Sequence, residues 1–226
     1  MNELEIITTS DGSHSLLNTI LNETYHSVHG AIQESAYVFI KNGLDYFIQL
    51  NNPRQISILE IGFGTGLNAL MTLQSSLQAD IPIHYTTLEV SPITSETAQL
   101  LNYASLLNFL NADHYFLRLH EGPWGTEQTI EKNFYISKLK SKIQEIEFCP
   151  SSFDLIYFDA FAPSKQPEMW EMNVMQKIEV AMKPGAVFVT YCAKGQLKRD
   201  LKLLGLFVET LPGPPGKKEM VRATKK

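Results

Sequence analysis

Three acidic residues in this sequence each stand at the end of a predicted strand. They are Glu60, Glu89 and Asp159. Ligands of a parallel sheet covered by helices bind at the carboxyl ends of its strands, so side chains at these positions meet in one cleft. A carboxylate there can hold a cationic group, accept hydrogen bonds from sugar hydroxyls or orient an amine. We therefore expect the three residues to share one site.

A glycine loop follows the first of these carboxylates, with glycines at alternate positions. Such a loop allows a tight strand-to-helix turn, close approach of a ligand to the backbone, and free N–H groups at the next helix. Its GxGxG spacing differs from the dinucleotide fingerprint GxGxxG, and Glu60 would repel a pyrophosphate but receive a cationic amino group, directly or through water. We therefore expect S-adenosylmethionine as cofactor, bound by Glu60, Gly62, Phe63, Gly64, Thr65, Gly66, Asn68 and, at the ribose hydroxyls, Glu89.

The segment from Asp159 to Trp170 carries the information about the reaction. An apolar strand delivers Asp159, and prolines such as Pro163 hold the following loop extended, with its carbonyl groups predicted to point outward as acceptors. A carboxylate and a carbonyl can hold a neutral amine through its hydrogens, leaving the lone pair to face a sulfonium methyl group. Phe161 can stack on a flat substrate ring, and Trp170 either packs beside the loop or contacts substrate.

Predicted strands and helices alternate around these residues. Strands are expected over 56–61, 83–88, 153–158, 186–191, 207–211 and 220–223, and helices over 67–77, 93–110, 169–182 and 196–204. This order predicts a doubly wound α/β fold with a mostly parallel sheet. We expect one Rossmann-like domain at 53–226, with an N-terminal extension at 1–52 packed on it. Residues 35–50 of the extension are loosely helical, with Gly43 as an interruption.

The composition is that of an ordinary soluble protein. Of 226 residues, 44% are hydrophobic and 19% charged. No stretch approaches the ~20 apolar residues of a membrane span, and the acidic N-terminus lacks the apolar segment of a secretory signal. The two cysteines, Cys149 and Cys192, have no CxxC spacing, and His26 and His29 have no neighbouring ligand to complete a metal site. We expect a cytoplasmic protein without a metal ion.

Basic residues are concentrated in two places despite a net charge of −5. One group is on a predicted helix and the other is near the C-terminus: Lys194, Lys198, Arg199 and Lys202, then Lys217, Lys218, Arg222, Lys225 and Lys226. They form either solvated surface or an RNA-binding face, since binding depends on where cations cluster. A third set, Lys138, Lys140 and Lys142, alternates along a predicted helix and is expected to be solvated.

Both loops resemble a known family, the methyltransferase domain of the tRNA wobble-uridine modification enzyme MnmC and its stand-alone relatives. That family's reaction loop has the form D-[GA]-F-A-P-x-K-x-P-[DE]-M-W, and residues 159–170 fit every fixed position. Its cofactor loop, G-F-G-T-G-L-N, is matched by residues 62–68. Tyr25, Ser27 and Glu34, followed by 37–39, resemble the family's lead-in segment. Residues 216–220 resemble its G-[RK]-K-R-E-M turn, so the similarity covers nearly the whole chain.

The resemblance implies a class I S-adenosylmethionine-dependent methyltransferase fold. It implies methylation of the primary amine of 5-aminomethyl-(2-thio)uridine at the tRNA wobble position, with the 5-methylaminomethyl derivative and S-adenosylhomocysteine as products. Asp159 would be the catalytic aspartate, with Phe161 and Pro163 beside it. Whether Asp159 removes a proton or orients a neutral amine stays open, because a carboxylate also stabilises the ammonium. The tRNA anticodon region would be the partner, contacted by Lys165, Trp170, Lys198, Arg199, Lys217 and Lys218.

Two departures from the family pattern limit what it implies. The adenine-binding segment usually holds a Gly-Asp pair, but residues 134–139 contain no carboxylate, so Ser137 or a backbone amide is expected to hold the adenine amino group. Some members carry a flavin oxidase domain that supplies the amine. A chain of 226 residues has no room for it, so we expect a separate enzyme to supply the aminomethyl group.

Two other functions compete with this interpretation. One is an enzyme of the same fold that methylates a small-molecule amine or transfers an aminopropyl group to it. Such an enzyme would have further acidic residues around the amine and no need for the C-terminal basic cluster. The other is an RNA module that binds the cofactor without catalysis, and the intact set of Glu60, Glu89 and Asp159 argues against it.

Overall fold

Strands and helices alternate from residue 56 onwards in the computed structural model, which describes residues 3–226. Met1 and Asn2, which begin the predicted extension and its acidic segment, lie outside the described residues. The strands are β1 (Leu4–Thr8), β2 (His14–Asn18), β3 (Glu23–Thr24), β4 (Ile56–Ile61), β5 (Ile83–Leu88), β6 (Glu127–Glu131), β7 (Phe134–Leu139), β8 (Phe153–Phe158), β9 (Met182–Thr190), β10 (Phe207–Pro212) and β11 (Glu219–Thr224). The α-helices are α1 (Ala31–Ser35), α2 (Tyr46–Asn51), α3 (Leu67–Ala79), α4 (Ser95–Gln99), α5 (Tyr103–Leu107), α6 (Ala112–Glu121), α7 (Met172–Ala181) and α8 (Gly195–Leu203).

The central sheet has the strand order β10-β11-β9-β8-β4-β5-β7-β6. Strands β7, β5, β4, β8 and β9 are parallel, whereas β6 and the β10–β11 hairpin pair antiparallel at the two ends. The order reverses direction between β4 and β8, which is where ligands of doubly wound sheets bind. This topology confirms the predicted fold class, and β4, β5 and β8 have the predicted bounds.

Strand register decides which residues reach the edge of the sheet. Ile61 pairs with Leu88 on one side and with Phe158 on the other. Glu89 and Asp159 follow these partners directly, so they emerge at the same level. Glu60 lies one residue earlier, inside β4, between Thr87 and Tyr157. The three acidic residues are therefore not equivalent.

Two apolar layers cover the sheet because successive strand residues point to opposite faces. Ile58 and Tyr157 face a layer that includes the N-terminal helices, α3 and α6. Leu59 and Phe158 face a layer that includes α7 and α8. Both layers are closed to solvent, as expected for a doubly wound sheet.

The N-terminal segment packs on the first of these layers. Helix α1, a π-helical stretch Ala36–Asp45 and α2 follow one another without a break. Phe39 packs on Tyr157 with 5.2 Å between ring centroids, and Leu16 of the small β1-β2-β3 sheet joins the same core. The boundary at residue 52 stays a prediction.

Gly43 does not interrupt this helical segment, contrary to the sequence interpretation. It lies in the π-helical stretch, where an added Cβ atom would be 3.0 Å from Cγ2 of Val189 and 3.2 Å from Cε1 of Tyr157. The absence of a side chain therefore lets the helix approach the sheet.

The predicted helix over 93–110 is wrong. Two short helices, α4 and α5, occupy this range, and α6 follows outside it. The division falls at residues 100–102, where Leu100 ends α4 and Asn102, with φ −98° and ψ 16°, precedes α5. Asn108, with φ 47°, then ends α5 in a left-handed conformation that asparagine tolerates better than most residues. Asn102 and Asn108 therefore bound α5, where apolar periodicity alone suggested one continuous helix.

The helix predicted around Lys138, Lys140 and Lys142 is wrong at Lys138, which lies in β7. Lys138 is fully buried rather than solvated. Its ammonium donates to the carbonyl oxygens of Leu119 (2.6 Å) and His120 (3.1 Å) in the last turn of α6. A lysine in this position satisfies carbonyls that the helix leaves free at its end.

Smaller differences concern the region after the reaction loop. The predicted helix over 169–182 is a 3-10 turn, Pro167–Trp170, followed by α7, and β9 begins at Met182 rather than at residue 186. Between residues 3 and 226, no helix combines the length and apolar character that crossing a membrane requires.

Gly43→Ala is expected to lower the free energy of unfolding by about 1–3 kcal/mol, the usual effect of overpacking a close-packed core. Urea unfolding followed by circular dichroism measures it. Gly195→Ala in α8 is the matched control, because its Cβ atom would meet only the flexible end of Arg199, at 3.3 Å. Equal losses in the two variants would contradict close packing at Gly43.

Candidate active site

A cavity of about 460 Å³ opens at the carboxyl ends of β4, β5 and β8. This volume is in the range of small-molecule sites. Its wall combines the glycine loop, Glu89, the start of the reaction loop, the N-terminal segment around residues 23–29, and Gly216 and Lys217. Segments far apart in sequence therefore meet at the point where the strand order reverses.

The glycine loop brings β4 and β8 into close contact. Gly62 has φ +94°, and a Cβ atom there would lie 2.7 Å from the carbonyl oxygen of Asp159. Gly64, with φ +51°, donates its N–H to Oε2 of Glu89 at 3.0 Å. Phe63 and Thr65 also line the cavity. Only glycine satisfies both the positive φ and the close approach at Gly62.

Glu89 lies in the cavity wall with its carboxylate fixed by backbone groups. Oε2 accepts from Gly64, and Oε1 accepts from the N–H of Ser91 at 2.8 Å. Each carboxylate oxygen can accept a further hydrogen bond. The carboxylate is thus oriented and still available to a pair of sugar hydroxyls.

Glu60 is placed differently from the sequence interpretation. Its side chain is completely buried, and Thr87 donates its hydroxyl to Oε2 at 2.7 Å. Oε1 has no hydrogen-bond partner among residues 3–226. Burial raises the pKa of Glu60 to about 8. A carboxyl with this pKa is largely protonated at neutral pH, so it carries little charge. It is also enclosed beneath the loop, so it does not contact a cofactor's amino group in the cavity directly.

Asp159, unlike Glu60, lines the cavity. Asn68 of α3 donates its side-chain N–H to Oδ2 of Asp159 at 2.8 Å, and Ser35 donates its hydroxyl to Oδ1 of Asn68. Burial raises the pKa of Asp159 to about 7. Asn68, expected to bind cofactor, instead orients Asp159.

The carbonyl groups of the reaction loop do not point outward as acceptors. The hydroxyl of Tyr191 donates to the Ala160 carbonyl oxygen, and the indole N–H of Trp170 donates to that of Phe161, both at 2.8 Å. The Ala162 carbonyl oxygen accepts from two backbone N–H groups of the following turn. Buried backbone acceptors are usually satisfied in this way, so these carbonyl oxygens already hold protein donors and the Asp159 carboxylate is the more open acceptor in this part of the cavity.

The remaining residues of the reaction loop divide into cavity wall and support. Phe161 lines the cavity, where its ring stands edge-on to Tyr25 at 5.1 Å. Trp170 is buried behind the loop, where it packs against Phe158, and it does not line the cavity. Lys165 donates to the carbonyl oxygens of Leu21 and Asn22 and so ties the loop to the N-terminal segment. Pro163 lies in the turn that follows Ala162 and does not line the cavity.

Ser137 is not at the end of its strand. It lies in β7 opposite Thr86, two residues before the strand ends. The cavity wall on this side is formed by Ser141, Lys142 and Ile143, which follow β7. Ser137 does not line the cavity, and the residue that holds the adenine amino group stays a prediction.

The basic residues expected to meet RNA fall into three situations. Lys198 pairs with Glu219 at 3.2 Å. Arg199 and Lys218 are exposed. Lys217 lies in the cavity wall, paired with the buried carboxylate of Glu34. Lys198 of α8 therefore contacts the residue that follows Lys218, whereas Lys217 is turned into the cavity.

Sequence reasoning missed Glu34 and Tyr191 as parts of this site. Both line the cavity, and Glu34 is 5% exposed. A signal for Glu34 exists in hindsight: it is an acidic residue among buried positions of a helix, and such carboxylates are rare without a partner. Nothing in the sequence indicates that Tyr191 and Glu34 line the same cavity.

A family model described as S-adenosyl-L-methionine-dependent methyltransferase matches residues 112–226, just over half of the chain. The chain belongs to this family. S-adenosylmethionine is accordingly the cofactor of the methyltransferase. The open glycine loop and the oriented carboxylate of Glu89 fit such a molecule, and they lie in the same cavity as Asp159.

Curated relatives agree with the resemblance to MnmC-type domains. The tRNA 5-methylaminomethyl-2-thiouridine biosynthesis bifunctional protein MnmC of Idiomarina loihiensis is 28% identical over 223 residues, covering 91% of this chain and 36% of that protein. The protein of the same name from Leptospira interrogans is 28% identical over 221 residues, covering 88% and 32%. The methyltransferase thus spans about a third of the length of these relatives.

Solved structures share its fold. MnmC2 from Aquifex aeolicus superposes with a TM-score of 0.77 at 24% identity, covering 99% of this chain and 70% of that one. Spermidine synthase from Thermotoga maritima superposes with a TM-score of 0.53 at 15% identity, covering 100% and 74%. At these identities the comparison concerns the fold alone.

The buried carboxyl of Glu60 predicts a pH dependence of stability. Its pKa rises from 4.5 to about 8 on folding, so its contribution to stability is full below pH 4.5 and is lost as pH rises through 8. Relative to the wild type, Glu60→Gln should therefore gain roughly 2–4 kcal/mol between pH 5 and pH 8. Urea unfolding without cofactor measures the difference.

Glu121→Gln, at an exposed position at the end of α6, is the control for this experiment. Its stability difference from the wild type should be the same at both pH values. If Glu60→Gln also showed no change with pH, the carboxyl would not be protonated in the folded protein.

Proposed function

We propose that this methyltransferase methylates the primary amine of 5-aminomethyl-(2-thio)uridine at the wobble position of tRNA. The observation that carries the proposal is that Asp159, half-buried at the start of the reaction loop, lines the same cavity as the glycine loop. Relatives named for 5-methylaminomethyl-2-thiouridine biosynthesis in tRNA support the substrate. The product is the 5-methylaminomethyl nucleoside.

Bound S-adenosylmethionine supplies an electrophilic methyl group. Glu89 and the backbone of the glycine loop bind this cofactor, and Ser141 and its neighbours after β7 close the adenine side. Asp159 holds the substrate amine by a hydrogen bond. With a pKa of about 7, its carboxyl group is partly protonated and partly ionised at neutral pH. The ionised form is a stronger base than an ordinary aspartate, so it accepts a proton from an ammonium more readily.

Phe161 provides the surface for a flat base. Its ring faces the cavity and is held edge-on by Tyr25. Stacking of a base on an aromatic side chain contributes about 1–3 kcal/mol. Together with Asp159, the ring fixes the base and its aminomethyl arm relative to the cofactor. The aminomethyl group itself must come from a separate reaction that makes a primary amine on this carbon.

The decisive experiment incubates the protein with S-adenosylmethionine and tRNA bearing 5-aminomethyluridine, followed by digestion and mass spectrometry of nucleosides. One added methyl group at the wobble nucleoside is expected. Asp159→Asn should lower kcat at least about a hundredfold, while the cofactor Kd from calorimetry stays within a few-fold. Asp113→Asn, at an exposed position of α6, should keep full activity. No methylation by the wild type would refute the proposed substrate.

A second experiment separates tRNA from a small-molecule amine as the substrate. The triple variant Lys194→Ala, Arg199→Ala, Lys218→Ala removes exposed cations and leaves the cavity intact. We expect weaker tRNA binding and a smaller dependence of Kd on salt, because each phosphate contact releases counterions. Activity on the free 5-aminomethyl nucleoside should not change.

Lys41→Ala, Lys132→Ala is the matched control, since both lysines are exposed on other elements. Its tRNA affinity should equal that of the wild type. If the triple variant also bound tRNA as well as the wild type does, the basic clusters would have no role and a small amine would become the better substrate.

A further inference from the structure

The wall of the cavity contains an ion pair that the proposed reaction does not explain. Glu34, at the start of the N-terminal helical segment, pairs with Lys217, in the turn between β10 and β11. The two residues are 183 positions apart in sequence. Both face the cavity that holds Asp159. The ion pair therefore joins the N-terminal helical segment to the β10–β11 turn in the wall of the cavity.

Glu34 is fixed on both of its oxygens. Oε2 accepts the backbone N–H of Ser27 at 2.8 Å, and Oε1 accepts from the ammonium of Lys217. Only 7% of its side chain is exposed. A buried carboxylate is costly unless it is paired, so this arrangement differs from a surface ion pair, which contributes little.

Lys217 is held against the reaction loop through an aromatic ring. Its ammonium lies 3.7 Å from the ring centre of Tyr191, within the range of a cation–π interaction. The Tyr191 hydroxyl donates to the carbonyl oxygen of Ala160, the residue after Asp159. A chain of contacts thus runs from Glu34 through Lys217 and Tyr191 to the backbone next to Asp159.

We propose that Glu34 and Lys217, which pair with each other in the wall of the cavity that holds Asp159, are positioning residues that set the charge of Asp159: Glu34 opposes its ionisation and Lys217 favours it. The proposal rests on the proposed function of Asp159 as the residue that holds the amine. It gives the ion pair a part in the reaction, since the protonation of Asp159 decides whether it can accept a proton from the substrate ammonium.

The charges around Asp159 support this role. Burial raises the pKa of Asp159, the carboxylate of Glu34 raises it further, and the Asn68 hydrogen bond and the Lys217 ammonium lower it. The other ionisable groups that interact with Asp159 are the Glu60 carboxyl beneath the loop and the Tyr85 and Tyr191 hydroxyls. Among these groups, the Glu34 carboxylate and the Lys217 ammonium carry opposite charges, so their effects on the pKa of Asp159 have opposite directions.

Two single variants should therefore move the titration of Asp159 in opposite directions. Glu34→Gln keeps an acceptor for the Ser27 N–H but removes the negative charge, so the pKa of Asp159 should fall by about one unit. Lys217→Met keeps the length of the side chain but removes the positive charge, so the pKa should rise. The double variant should lie between them.

The titration can be read without activity. Protein labelled with ¹³C at the aspartate carboxyl carbon is titrated by NMR from pH 4 to pH 9, and the Asp159 signal is assigned by its loss in Asp159→Asn. Lys218→Met, the exposed neighbour of Lys217, is the matched control and should titrate as the wild type does. Thermal unfolding checks that each variant is folded.

Opposite shifts in the two single variants would support the proposal. Shifts in the same direction, or an unchanged Asp159 titration in Glu34→Gln, would overturn it. An ion pair that only holds two segments together would not shift the pKa of Asp159 in opposite directions when one or the other partner is removed. If Glu34→Gln does not fold, Lys217→Met decides alone: an upward shift supports the proposal, and an unchanged or lowered pKa overturns it.

Activity measurements separate this inference from the function on which it rests. If the wild type methylates tRNA, the acid limb of its kcat profile should move with the NMR titration in each variant. If the wild type does not methylate the nucleoside, the proposed function fails whatever the titrations show. If methylation occurs and the NMR shifts are absent, only the role of the ion pair fails.

Discussion

The contact between the glycine loop and the reaction loop is the constraint on which the site depends. Gly62 lies so close to the carbonyl oxygen of Asp159 that a Cβ atom would be 2.7 Å away. Asn68, at the start of α3, then reaches Asp159 with a hydrogen bond of 2.8 Å. The glycine loop and the start of the reaction loop are therefore joined at two points, the close approach at Gly62 and the Asn68 hydrogen bond.

Buried carboxyl groups give the site its chemical character. Burial raises the pKa of both Glu60 and Asp159, because it reduces the hydration of the charged carboxylate. Glu60 is enclosed in the sheet, where its protonation is expected to affect stability. Asp159 lines the cavity, where we propose that its protonation acts on the substrate amine. The two carboxyl groups thus differ in their surroundings because of strand register. Glu60 lies one residue before the end of β4, inside the sheet, whereas Asp159 follows the end of β8, at its edge.

The N-terminal segment completes the site rather than merely covering the sheet. Tyr25 supports Phe161, Glu34 pairs with Lys217, and the reaction loop is anchored to residues 21 and 22 through Lys165. Gly43 lets the helical segment approach the sheet closely enough for these contacts. Much of the cavity wall therefore comes from outside the alternating strands and helices.

Local patterns in the sequence were enough to predict the fold class, the bounds of β4, β5 and β8, and the cofactor. These patterns are apolar runs and alternating glycines, each contained in a few consecutive residues. A longer motif indicated a role for Asp159, which stays a prediction. The sequence failed at residues 93–110, where the helical run breaks between Leu100 and Asn102 and α5 ends at the left-handed Asn108. It also failed at Lys138, where charge suggested solvent but helix α6 supplies buried acceptors. The three-dimensional structure was needed to show that Glu60 is enclosed, that Asn68 donates to Asp159, and that Glu34 pairs with Lys217. These facts depend on strand register and on contacts between distant segments, and no local pattern records either one.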